Sequence, residues 1–352
     1  MQKNLKFSKF SRLKTAFFAI AALALFILSA NALILPKTQN KTESGAHSST
    51  IYKRLENLSA EIGEQSPPSE KMNNSVYKNS NAYKNADGTF NISKISVYDA
   101  QTGKVRDMDL EYYTLCALIA EMPQSFESSA LMAQAVACRT FAVRKVYEGK
   151  KHSGADVCTD FSHCQSFRDA ESADYDIQKA VDAVNATRGI IATFGGEPIV
   201  AAYHASSAFY TKSGSDVWGG ETEYLVSVAA PESLDDISFT VRYASDEVRS
   251  KLKKTGLNGG ISFISDRDGF LQYATDGVST VTPRELKNAL GLRSDVVKVS
   301  EDGKDTVFTT YGYGHGVGMS QYGANALAEQ GYDFYEILKY YYTGIGFAFI
   351  KS

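Results

Sequence analysis

No tandem repeat runs through the 352 residues, which sets solenoids and arrays aside. A glycine-rich run near the C-terminus lacks a GK[ST] ending and a strand-to-helix setting, so it is not a phosphate loop. No HExxH pairing accompanies the histidines and cysteines, which removes the usual signature of a zinc hydrolase. Excess positive charge is also missing. Without the five basic residues of the first 36, 32 basic residues face 40 acidic ones, a net of −8, and this balance argues against a nucleic-acid partner. Tryptophan occurs once, against 21 tyrosines and 19 phenylalanines. Tyrosine-rich surfaces suit sugars, although most such rings pack in a core.

No acidic residue precedes Glu43, and Lys3, Lys6, Lys9, Arg12 and Lys14 lead into an apolar run from Ala16 to Leu28. This is an export segment whose basic end stays in the cytoplasm. Ala30-Asn31-Ala32 has the form of a cleavage site, whereas the whole run is long enough to span a bilayer. We read residues 1–36 as a signal-anchor, with the rest of the chain outside the cytoplasm. Residues 37–90 are rich in Lys, Asn and Ser and read as a flexible stalk, with one short amphipathic helix over 51–62. With 43% hydrophobic and 22% charged residues, the chain can build a sizeable core. The expected fold is a single mixed α+β catalytic domain over 91–352, with a small subdomain over 235–300.

The stretch Leu110–Tyr147 carries two helical patterns separated at Met122-Pro123. Leu115, Leu118 and Ile119 mark the first helix, and Leu131, Ala135, Cys138 and Ala142 the second. Pro123 disfavours helical geometry at Met122, so the first helix should end near Glu121. The negative end of the helix and apolar neighbours would both raise the proton affinity of Glu121, as a general acid requires. The plainer reading is an exposed glutamate in an interhelical turn.

Further along, 177–184 predicts a helix stopped near Gly189, and 190–194 and 198–203 a hairpin closed on Gly195-Gly196. Residues 224–228 predict a strand. Ser245–Lys254 predicts a helix, and Thr282-Pro283-Arg284-Glu285 opens another with a capping box. Four alternating glycines surround Tyr313, His315 and Val317, ahead of helices over about 320–330 and from Asp333. Such a loop is either structural or a place where backbone approaches a ligand closely.

Cys116 and Cys138 sit in apolar helical patterns and read as small core hydrophobes. Cys158 and Cys164 share a polar loop with His152 and His163. An exported chain could oxidise the two thiols, and two thiols with two imidazoles also make a tetrahedral zinc set. With all four positions filled by protein, such a zinc would be structural.

AEMP with ALMAQAVACRTFA, RGIIATFGGEPIVAAYHASS with SDVWGGETEYLVSV, and GYGHGVGMSQYGANALAEQG with EILKYYY follow one another in this order. Together they resemble the SpoIID family of sporulation proteins over about residues 95–350. The resemblance implies a membrane-anchored lytic transglycosylase that cuts MurNAc–GlcNAc bonds of peptide-free peptidoglycan strands during endospore engulfment. It implies Glu121 as the catalytic acid, and Arg139, Tyr203, His204, Trp218, His315, Gln321 and Tyr322 as groove residues. It implies structural zinc on His152, Cys158, His163 and Cys164, with no cofactor needed for the chemistry. The implied partners are a SpoIIP-like amidase and a SpoIIM-like membrane scaffold. The implied location is the mother-cell membrane, facing the intermembrane space. The alternative is a peptidoglycan-binding protein that recruits or activates the amidase.

Overall fold

A computed structural model describes residues 85, 87–219 and 222–351. The expected anchor, the predicted helix over 51–62 and nearly all of the expected stalk lie outside the described residues. Among the described residues, no helix is long and apolar enough to cross a membrane.

Strands β1 (Lys94–Tyr98) and β2 (Val105–Asp109) form an antiparallel hairpin. Asp109 then caps helix α1 (Leu110–Glu121), its carboxylate accepting the Glu111 and Tyr112 amides at 2.9 and 3.1 Å. The helix stops where expected. Met122 is extended (φ −123°, ψ 138°) ahead of Pro123, leaving Glu121 as the last helical residue.

Helix α2 (Ser128–Glu148) is the centre of the molecule. Ala130, Ala133, Ala135, Ala137 and Ala142 are fully buried along it, so neighbouring elements approach closely on several sides. Those neighbours are α1, helix α3 (Gln178–Ala186), strand β4 (Ile190–Phe194) and two C-terminal helices introduced below. Leu118 and Leu131 are buried in this packing, each contributing about 1.5–3 kcal/mol. Cys116 and Cys138 are core residues as expected, and burial pushes their thiols up to about 11 and about 12, so both stay protonated.

β3 (Val157–Cys158) adds a parallel strand to β1. β4 turns at Gly195 and Gly196, both with positive φ (58° and 79°), into β5 (Glu197–Pro198). The expected second hairpin strand is therefore short. Ile199 still donates its amide to the Ala192 carbonyl at 3.2 Å, after which the chain leaves β4, and Tyr203–His204 (β6) pairs elsewhere. A short helix, α4 (Gly214–Trp218), follows. The expected strand over 224–228 is instead irregular. Its backbone bonds to Thr211, and the Tyr224 hydroxyl accepts the Val200 amide at 2.9 Å.

Residues 238–311 form a unit with their own core. It comprises β7 (Ser238–Ala244), α5 (Ser245–Lys253), β8 (Ser262–Ser265), β9 (Leu271–Thr275), β10 (Thr280–Val281), α6 (Pro283–Leu290), β11 (Val297–Asp302) and β12 (Asp305–Tyr311). Two three-stranded sheets, β11-β12-β7 and β10-β9-β8, enclose Val248, Leu252, Leu271, Leu286, Leu290 and Phe308. Thr282 and Glu285 make both bonds of the capping box.

The glycine loop leads to β13 (Met319–Ser320), which lies parallel to β6. Helices α7 (Gln321–Glu329) and α8 (Phe334–Tyr341) then cover α2, with Asp333 and Glu336 forming a second capping box. β14 (Gly346–Phe349) completes the sheet beside β4, and Phe90 bridges to Ile350 next to it. The described residues form a mixed α+β fold.

Candidate active site

The end of α1 places the Glu121 carboxylate against two distant segments. Oε1 accepts the Ser166 backbone N–H at 2.6 Å, and Gln321 Nε2 lies 3.5 Å from Oε2. Tyr203 also bonds to this carboxylate. Burial among these groups pushes the proton affinity of Glu121 up, while the bonds from Ser166, Tyr203 and Gln321 pull it down. The net direction is up, so the acid form is favoured beyond the ordinary glutamate range.

The tyrosine is held in turn. Gln165 Nε2 donates to the Tyr203 hydroxyl at 2.9 Å, and the buried Tyr113 hydroxyl donates to Gln165 Oε1 at 3.0 Å. With its lone pair engaged by Gln165, the Tyr203 proton is available to Glu121. Burial, beside Cys138 and Glu121, raises Tyr203 well above the usual phenol range and keeps it protonated.

Gln321 is set by the glycine loop. Gly318 has φ 73°, and a Cβ there would stand 2.0 Å from the Ala202 carbonyl oxygen, so the β6–β13 pairing requires glycine at that position. Ser320 caps α7, accepting the Gly323 amide at 3.1 Å, and its hydroxyl donates to Glu232 Oε1. The same oxygen accepts the Ser207 amide at 2.8 Å. Glu232 is buried and its proton affinity is raised by that burial. It ties the segment after β6 to the start of α7.

Among the other expected groove residues, the structure brings His204, His315 and Trp218 into one ring cluster, with His204 and His315 centroids 5.6 Å apart. Trp218 is 51% exposed, and its ring centroid lies 5.1 Å from that of the exposed His315. Tyr322 stacks edge-on against Phe126 at 5.2 Å. His204 is buried: its Nδ1 lies 3.2 Å from the Val317 carbonyl and its Nε2 2.6 Å from the Ser207 hydroxyl. Burial pulls its pKa down to about 3, so the ring is neutral and braces the glycine loop from within.

Arg139 requires a correction. It is 0% exposed, its Nε and Nη2 grip Glu111 at 3.0 and 2.5 Å, and Nη1 donates to the Ile190 carbonyl at 3.1 Å. Glu111 also accepts the Gly189 amide at 3.0 Å. The guanidinium is used up inside the protein and is not placed to touch a sugar.

His152, Cys158, His163 and Cys164 converge, with one donor atom from each lying within 4.8 Å of the others. Cys158 Sγ is 3.7 Å from His163 Nδ1, and Cys164 Sγ is 3.5 Å from His152 Nε2. About 3.5 Å is the donor separation of a tetrahedron with Zn–S near 2.3 Å and Zn–N near 2.0 Å. All four cysteines are free thiols, so no disulfide joins Cys158 to Cys164. Four such donors could hold zinc, and Gln165 and Ser166 follow the last of them directly.

Sequence reading missed Ser166, Gln165, Tyr113 and Glu232. Ser166 bonds to Glu121 through both its backbone amide and its side chain, and a partner 45 residues away leaves no local trace in the sequence.

The family model described as "SpoIID: Stage II sporulation protein" matches residues 98–194. "Stage II sporulation protein D" of Bacillus subtilis (strain 168) is 33% identical over 265 residues, covering 71% of this chain and 77% of that protein. The protein of the same name from Bacillus amyloliquefaciens is 33% identical over 279 residues, covering 74% and 81%. The "Amidase enhancer" of Bacillus subtilis (strain 168) is 26% identical over 288 residues, covering 64% of this chain and 38% of that protein. Fold and site define a mixed α+β protein with a part-buried acidic side chain whose proton affinity is raised by its burial. The chain belongs to the stage II sporulation protein D family.

Proposed function

We propose that this protein is a peptidoglycan lytic transglycosylase acting in sporulation, with Glu121 as its acid and base. The observation that carries the reading is the raised proton affinity of a carboxyl group held at both oxygens. Glu121 gives its proton to the glycosidic oxygen between MurNAc C1 and the GlcNAc leaving group, and that C–O bond breaks. The resulting carboxylate takes the proton of the muramic 6-hydroxyl, whose oxygen bonds to C1 and closes a 1,6-anhydro ring. Glu121 ends protonated again and no water is consumed. A second carboxylate is unnecessary because the attacking hydroxyl belongs to the same sugar and gains a large effective concentration. Tyr203 and Gln321 steady the carboxylate, while the Trp218–His315 pair offers a surface for sugar rings.

His152, Cys158, His163 and Cys164 would hold a structural zinc that supplies no reacting group and fixes the loop leading to Ser166. The export segment would serve as a membrane anchor and present the domain outside the cytoplasm. Peptide-free strands would come from a SpoIIP-like amidase, with a SpoIIM-like scaffold in the membrane.

A second reading is recruitment or activation of the amidase, favoured by the relative named "Amidase enhancer". Incubating the exported part with peptide-free strands separates the two. Anhydro-ended products by mass spectrometry, absent with Glu121→Gln, support lysis. Hydrated ends would mean hydrolysis. No products, together with stimulation of an amidase by both proteins, would establish the second reading.

A further inference from the structure

Cys158 and Cys164 touch. Each sulfur lies 3.7 Å from His163 Nδ1, and the Cys158 thiol bonds to that of Cys164. Their backbones are held differently. Cys158 belongs to β3, where it pairs with Tyr98, and the Thr159 amide donates to the Tyr98 carbonyl at 3.0 Å. Cys164 instead closes a turn, its amide donating to the Asp160 carbonyl at 2.8 Å. It is partly exposed, and the same turn carries His163 and Phe161, the latter 72% exposed. On its inner side Cys164 packs against the core cluster that also meets Tyr203. The chain runs straight on to Gln165 and Ser166, which bond to Tyr203 and Glu121. Cys116 and Cys138 are fully buried and out of reach of a dissolved oxidant.

Two touching thiols with one member open to solvent suit exchange with a disulfide oxidant, RSSR. The Cys164 thiolate attacks one sulfur of RSSR, and one RS⁻ leaves. The Cys158 thiolate then attacks the Cys164 sulfur, and the second RS⁻ leaves. Two cysteines are thereby oxidised to one disulfide, and RSSR is reduced to two thiolates. Only His152 and His163 remain as donors, too few to keep a tetrahedral zinc. An S–S bond of about 2.0 Å is far shorter than a contact between thiols, so the sulfurs must close up. β3 is fixed by its ladder to β1, and the movement falls on Cys164 and the two residues after it. We propose that Cys158 and Cys164 form a reversible redox switch, in which a disulfide oxidant joins them, releases the metal and draws Ser166 away from Glu121. The export segment would place the loop where such oxidants persist. The inference rests on the zinc reading above and goes beyond it. It does not depend on the glycan chemistry.

The test uses the full chain loaded with zinc, and oxidised glutathione as the oxidant. Oxidation should release one zinc per chain, read with a chromogenic chelator. Peptide mapping should find Cys158 joined to Cys164, with Cys116 and Cys138 still thiols. Hydrogen exchange at the Ser166 amide should accelerate at least about tenfold, as expected when a part-buried hydrogen bond opens. A thiol reductant with added zinc should reverse all three changes. Cys164→Asp keeps a metal donor but cannot form the bond, and it should hold zinc and Ser166 protection under the same oxidant. If that variant takes up no zinc, mapping and exchange on the parent decide. Zinc that stays bound overturns the proposal, as do thiols capped singly by glutathione. A Cys158–Cys164 bond that leaves the Ser166 amide protected overturns it too. A parent that takes up no zinc with all four cysteines reduced would instead remove the zinc reading on which it rests.

Discussion

The backbone amide of Ser166 donates to Glu121 Oε1 at 2.6 Å, across 45 residues of sequence, and among replacements at Ser166 proline alone removes that donor. The bond favours the carboxylate whereas burial favours the acid, and burial prevails. In the proposed reaction, proton donation therefore rests on how closely the surroundings pack, with the hydrogen bonds setting direction.

The pH dependence follows. Activity should fall on the alkaline side as pH passes the folded-state value of Glu121, because the acid form starts the reaction. The same shift acts on stability. Protonation of Glu121 stabilises the fold fully below the ordinary glutamate range, and that contribution disappears as pH rises through the folded value. Glu121→Gln should lose about 10²–10⁴ in rate. Relative to the parent, it should also melt at progressively higher temperature as pH is raised from acid to neutral. Equal melting curves at both pH values would show that the carboxyl is not shifted.

Breaking the buried pair should be costly without touching binding. Arg139→Met leaves Glu111 without its cation and with the Gly189 amide as its remaining bond described above, a loss of about 3–5 kcal/mol. Denaturant titration reads the stability, and the KM of the remaining folded protein should match the parent. A raised KM would return Arg139 to the substrate site.

Gly318→Ala should destabilise by about 2–3 kcal/mol or more, because the new Cβ meets the Ala202 carbonyl and a left-handed backbone. Since Gly318 precedes Gln321 by three residues, activity should fall further than folded fraction alone explains. Activity normalised to folded protein, measured by circular dichroism, provides the check.

Metal removal tests the cysteine–histidine loop. Elemental analysis should find one zinc per chain, and chelation or Cys164→Ser should lower melting temperature and activity together. The expected activity loss is about 10–100-fold, the scale for an outer support of a reacting group. An active, equally stable protein without zinc would dismiss the structural role.

Local signals were readable and long-range partners were not. The Met122-Pro123 break, the capping box at Thr282, the helix start at Asp333 and the turn at Gly195-Gly196 are written in adjacent residues, and each forms as expected. Glu121 stood out because a helix end can be located from one proline. Residues 224–228 have strand composition, but Tyr224 and Val228 spend their polar groups on Val200 and Thr211, leaving no ladder to join. Arg139 was misplaced because nothing around it in sequence reveals that Glu111, 28 positions earlier, lies against it. The four zinc-type donors were legible from composition, whereas the placement of Ser166 against Glu121 depends on how the loop folds back over α1.

Ser238 and Tyr311 are cross-strand partners, and the Gly312 amide donates to the Ile237 carbonyl at 3.2 Å. The 238–311 unit therefore enters and leaves the protein through a single doorway. Beyond that doorway it leans on the glycine loop, because Lys212, whose amide donates to the Gly316 carbonyl at 2.7 Å, pairs with Asp295 of the unit at 2.9 Å. A change inside the unit can therefore reach the glycine loop through such surface contact, while the chain on either side stays pinned at one point.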